Sequence, residues 1–170
     1  VCLAGIWLSG TRATAGTLAG SQVVAPATVN LTLEGGLDWA HWGLTSPTDF
    51  NQKAGGTNLI SNFTQIGSGE VQQFSDAATA YWWNDGTPTS TALFSPSGVY
   101  VEGLSNGFQI TIAADTTVKE LKVFAGAWNS KLGFEASLSD GSVPPFVDES
   151  FNDSGLGGVS MYTVAFAANS

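Results

Sequence analysis

Apolar and polar residues alternate with a period of two in several short stretches of this chain, and the helical period of 3.6 is nearly absent. In TVNLTLE, Val29, Leu31 and Leu33 share one face while Asn30, Thr32 and Glu34 share the other, as the geometry of an extended strand requires. The same alternation sets Phe108, Ile110 and Ile112 on one face of GFQITIA. It sets Leu121, Val123 and Ala125 on one face of KELKVFAGAW, where Phe124 and Trp128 keep the opposite face apolar too. Leu132, Phe134, Ala136 and Leu138 form a further inward row, and Tyr162, Val164 and Phe166 form the last one. Between the rows stand Gly55-Gly56, Asn84-Asp85-Gly86, Ser105-Asn106-Gly107 and Asp140-Gly141, which tolerate positive φ, and Pro144-Pro145, which enforces an unpaired extended connection. Turn signals roughly every eight to twelve residues, with about ten strands between them, predict an all-β fold. The expected form is an antiparallel two-sheet β-sandwich of jelly-roll type with an N-terminal extension strand.

That extension is VCLAGIWLSG, with Val1, Leu3 and Trp7 on one side and Cys2, Ala4, Ile6 and Leu8 on the other. Residues 11–27 are small, polar and rich in Gly, Ala and Thr, and read as a flexible linker. The chain therefore divides into an apolar strand at 1–10, a linker at 11–27 and a sandwich domain at 28–170.

Composition narrows the setting. At 170 residues the chain is one domain, able to bury a core without covalent staples, and its single cysteine, Cys2, has no internal partner. Charged residues make up 11% of the chain against roughly 25% in ordinary soluble domains. The surface is accordingly built from Ser, Thr, Asn, Gln and Gly, which suits an extracellular or cell-surface protein. A net charge of −9 repels phosphate backbones and anionic lipid, so nucleic acid is not an expected partner. No run approaches the roughly 20 apolar residues of a membrane span, so membrane insertion is not expected either.

Candidate chemistry is sparse. Two aromatic clusters stand out, LDWAHWG and AYWWNDG, and Trp39, Trp42, Trp82 and Trp83 are candidates for stacking on sugar rings. Adjacent Trp82 and Trp83 point to opposite faces of a strand, so at least one of them belongs to the core. His41 is the only histidine, which leaves no two-histidine zinc site; beside Asp38 it reads as a buried hydrogen-bonding residue. Asn30, Asn62 and Asn152 each begin an Asn-x-Ser/Thr sequon and are candidate glycosylation sites. Asp140, Asp148 and Asp153 flank an acidic loop and are weak calcium candidates, without EF-hand or RTX spacing. No nucleophile elbow accompanies His41 and no pair of carboxylates is placed for glycoside hydrolysis. The expectation is a protein that is not an enzyme and carries no cofactor.

The order DWAHWG, AYWWNDGTPT, GVYVEGLSNGFQITIAADT and LKVFAGAWNSKLGFEASLSDGS resembles a β-sandwich domain of large secreted and surface-anchored bacterial proteins, over about residues 18–168. The resemblance implies a fold and a location, with no catalytic residues to carry over. It also implies a further apolar strand after YTVAFAA, where this chain reaches Ser170. A missing strand leaves an apolar groove edged by unpaired backbone groups. The opening segment has the length to fill it, through Val1, Leu3, Ile6, Trp7 and Leu8, either in its own sandwich or in that of a neighbouring copy. The second arrangement is donor-strand complementation, which runs head to tail and builds an open filament. Burial of those side chains would contribute about 8 to 10 kcal/mol before ordering costs. Copies of itself are the expected partner. The alternative reading is a carbohydrate-binding or adhesive module with glycans on its surface tryptophans.

Overall fold

A computed structural model of the chain describes residues 16–169; the expected donor residues Val1, Leu3, Ile6, Trp7 and Leu8 lie outside this range. Among the described residues the fold is all-β apart from one helical turn. In chain order the first elements are β1 (Thr17–Val24), β2 (Thr28–Asn30), α1 (Leu31–Glu34), β3 (Ala40–Trp42), β4 (Phe50–Lys53) and β5 (Thr64–Ile66). Then come β6 (Val71–Phe74), β7 (Ala80–Trp83), β8 (Gly86–Thr87), β9 (Ala92–Ser95) and β10 (Gly98–Val101). The last are β11 (Gly107–Gln109), β12 (Lys119–Gly126), β13 (Phe134–Ala136), β14 (Phe146–Asp148) and β15 (Val159–Ala167).

The longest sheet has the order β1-β15-β12, both pairs antiparallel. β15 carries no charge, and Ser160, Tyr162, Val164 and Phe166 on its inner row are all buried, as the alternation in the sequence predicts. One face of this sheet is covered by the β13-β14 pair. The Phe134 ring stacks on Tyr162 with centroids 4.1 Å apart, and Phe146 occupies the space where a side chain at Gly20 would stand. The other face sends Phe124 edge-on to Tyr81 at 5.5 Å. There it meets a core of Val29, Leu31, Trp39, Tyr81 and Trp83, built largely from the β2-β7-β9 sheet.

The expected architecture differs from the observed one in four respects. First, the hydrogen-bonded ladders among the described residues are short and group the strands into six small sheets, none closed on itself. Second, the pairing is not all antiparallel: β2 and β7 run parallel, which the long intervening chain permits where a hairpin would not. Third, TVNLTLE is not one strand. The Asn30 side chain accepts from the Leu33 N–H at 3.3 Å and caps a helical turn, so Leu31 is buried while Leu33 is 76% exposed. Cap chemistry prevails over a short period-two pattern. Fourth, residues 17–24 are strand β1 and not linker. TLAGSQVV has little intrinsic strand signal; its conformation comes from a ladder along β15 that runs from Thr17 opposite Ala167 to Val24 opposite Ser160. Gln22 adds a side-chain bond from its Nε2 to Ser160 Oγ at 2.5 Å.

β15 is therefore hydrogen-bonded along both edges, to β1 and β12. The open groove expected beside the last strand is absent there, because the chain's own residues 17–24 occupy the place. Two substitutions test this packing. Trp83→Ala, at a side chain with no exposed surface, is expected to cost about 3 to 5 kcal/mol in urea unfolding. Gly20→Val, which drives a side chain into Phe146, is expected to cost about 1 to 3 kcal/mol.

Candidate functional site

The four tryptophans first considered for sugar stacking separate into two groups. Trp39 and Trp83 are buried, with ring centroids 5.1 Å apart, and are removed as stacking candidates. Trp39 is further tied by its Nε1, which donates to Asp85 Oδ1 at 3.0 Å. Asp85 also accepts from Thr32 Oγ1 at 2.6 Å and pairs with Lys53 Nζ at 2.6 Å. Burial alone would raise the Asp85 carboxyl, but the Lys53, Thr32 and Trp39 donors outweigh it and hold it below the usual carboxylate range. Trp42 and Trp82 are half-buried. Trp42 stacks on Phe50 at 5.7 Å and donates from Nε1 to Asn62 Oδ1 at 2.8 Å, while Trp82 leans on Phe94 at 6.3 Å.

His41 lies against Tyr81 and Trp83, at 5.4 and 5.1 Å between centroids. Its Nε2 is 3.1 Å from the Ser97 carbonyl; an oxygen there can only accept, so the neutral ring carries its proton on Nε2. Asp38, expected beside it, instead accepts from the backbone N–H groups of Trp39, Leu59 and Ile60. Burial lowers His41 to about 4.

The three calcium candidates do not converge, and among the described residues no group of three or more His, Cys, Asp or Glu is placed to hold a metal ion. Each carboxylate is engaged in its own turn. Asp140 accepts from the Ser142 N–H at 2.9 Å and Asp148 from the Ser150 N–H at 3.1 Å. Asp148 also lies near the Tyr162 phenol, which burial and that charge push up to about 12. Asp153 accepts from five backbone N–H groups, those of Asn129, Gly155, Leu156, Gly157 and Gly158, at 2.8 to 3.3 Å. These donors, Asn129 first, lower it to about 2. A carboxylate so engaged has little left for a cation.

The sequons also stand in different settings. Asn30 is half-buried, with its side-chain oxygen spent on the helix cap. Asn62 is exposed, its Oδ1 accepting from both Trp42 Nε1 and the Phe63 N–H at 2.8 Å. Asn152 is exposed beside the Asp153 turn.

A hollow of about 180 Å³ lies between the β12 face and β2, lined by residues that include Val29, Glu34, Lys122, Phe124 and Met161. Small-molecule pockets start at roughly 300 Å³. Two surface features were not legible as sites in the sequence. One is the outer edge of β1, where Ala19, Ser21, Val23 and Val24 are exposed and no described strand pairs. The other is Trp128, read as an apolar residue of the strand and in fact 67% exposed beyond its end. Comparison of the chain with protein-family models, with curated proteins and with solved structures finds no match.

His41 makes stability pH-dependent in a defined window. Its folded value of about 4 lies below 6.5, so between the two the unfolded chain binds more protons. The contribution is full above pH 6.5 and falls as pH drops toward 4. The expected loss is about 3 kcal/mol, read as a fall in urea midpoint across that window and flattened in His41→Gln. Asp49 and Asp153, held at about 2 by hydrogen bonds, titrate below it.

Proposed function

We propose that the protein is a non-catalytic structural subunit of an extracellular or cell-surface assembly. In this reading its all-β body is a jelly-roll-type sandwich arranged about β15, and copies join by laying the apolar N-terminal segment of one along β1 of the next. The observation that carries this reading is the character of the β1 edge. Natural edge strands are blunted by charge, proline, bulges or brevity. β1 runs for eight residues, TLAGSQVV, with no charge and no proline, and ends in Val24 at 84% exposure. The opposite edge strand, β12, carries Lys119, Glu120 and Lys122.

An unprotected edge of this kind is a template for an added strand, and the chain contains an uncharged segment suited to it in Val1, Leu3, Ile6, Trp7 and Leu8. The acceptor is thus β1 and not the flank of β15, which β1 itself fills. Addition to the next copy is head to tail and does not close, so it propagates as a filament. The low charge of the chain favours such close lateral packing, and its −9 net charge disfavours nucleic acid as the partner.

Electron microscopy and light scattering on the full chain test this. The wild type is expected to form regular filaments. A deletion of residues 1–10, and separately Ala19→Lys combined with Ser21→Lys, are expected to give single particles with unchanged circular dichroism. Monomeric wild type at every concentration would place the segment within its own chain and sink the proposal, as would filaments that survive both changes.

A further inference from the structure

Trp128 stands in the turn that follows β12, next to Asn129 at φ +48°. Gly157 passes so close to the indole that a side-chain carbon there would lie 3.3 Å from both Cε3 and Cζ3 of its six-membered ring. Gly157 is itself at φ +68°, a conformation open to glycine at no steric cost. The ring thus has main chain close to its Cε3–Cζ3 side, and Trp128 is 67% exposed.

Its mounting is firm. Asp153 bonds the Asn129 N–H, one residue from the tryptophan, and also the N–H groups of Gly155, Leu156, Gly157 and Gly158, the segment that runs close to it. Two backbone bonds tie the segments side by side: Asp153 N–H to the Ser130 carbonyl at 3.0 Å, and Leu132 N–H to the Phe151 carbonyl at 3.2 Å. Exposed on these two segments are Asn129, Ser130, Asn152 and Ser154, neutral and able to donate and accept hydrogen bonds, together with one cation, Lys131, which forms a β-bridge with Asn152.

An exposed indole with amides and hydroxyls, and a single ammonium, on the adjoining segments suits a sugar ring, whose C–H face stacks on the indole while its hydroxyls meet the polar groups. Because the platform is held before binding, little ordering cost is added when the ring settles. A nucleotide base would bring phosphate toward a chain of net charge −9, and an anionic lipid surface would meet the same repulsion. We infer that Trp128, with Asn129, Ser130, Asn152 and Ser154 on the adjoining segments, is a binding platform for a pyranose ring of a neutral glycan. This inference does not depend on assembly through β1, which uses other residues.

Isothermal titration of the full chain with cellohexaose, xylohexaose and chitohexaose tests it. At least one is expected to bind, with Trp128→Ala weakening that binding at least about tenfold and Trp128→Phe weakening it less. Circular dichroism of both variants should match the wild type, since the side chain is exposed. No binding of any of the three by wild type overturns the inference. So does undiminished affinity in Trp128→Ala, or a loss on Trp42→Phe in place of Trp128→Phe.

Discussion

The double pairing of β15 is the constraint on which the rest of the structure depends. A nine-residue strand without a charge is stable only where both edges are hydrogen-bonded and at least one face is dry. β1 and β12 supply the edges, and the β13-β14 pair and the aromatic core supply the cover. Gly20 belongs to the same constraint, because only a residue without a side chain lets Phe146 approach the sheet. Among the described residues, satisfying β15 makes β1 the outer strand of the sheet.

Six of the fourteen acidic residues, all aspartates, accept from backbone N–H groups. Asp38 braces Leu59 and Ile60, Asp49 gathers Thr45 and Ser46, and Asp153 gathers five donors. Salt bridges among the described residues number three, all made by lysine. A fold with few regular turns of helix and many short strands has many unpaired loop amides, and a carboxylate satisfies several at once. The excess of acidic over basic residues is in part the trace of this device, beyond its effect on partners.

Aromatic residues divide by the same logic. Those whose polar atoms find interior partners go inside: Trp39 on Asp85, Trp83 on the Thr89 carbonyl and His41 on the Ser97 carbonyl. Trp128 has Gly157 close to the Cε3–Cζ3 side of its ring and is 67% exposed. Density of aromatics in the sequence is thus a guide to the core, and an isolated tryptophan in a turn is the better guide to the surface.

The alternating rows at Phe108–Ile112, Leu121–Ala125, Leu132–Leu138 and Tyr162–Phe166 hold in the structure, because period-two hydrophobicity needs only the local chain to be read. The all-β class follows from those rows and from the turn residues between them. The buried member of the Trp82-Trp83 pair was half-legible: the strand forces one inward, but only the surrounding core selects Trp83. β1 was not legible, since its small polar residues acquire strand conformation from β15, nearly the whole chain away. The parallel β2-β7 pair, the five amides on Asp153 and the exposure of Trp128 likewise depend on partners distant in sequence or on glycines whose neighbours the sequence does not name. Local pattern determined which residues prefer to be extended and which face is apolar; tertiary structure decided which edges and rings remain open, because those are whatever the long-range pairings leave uncovered.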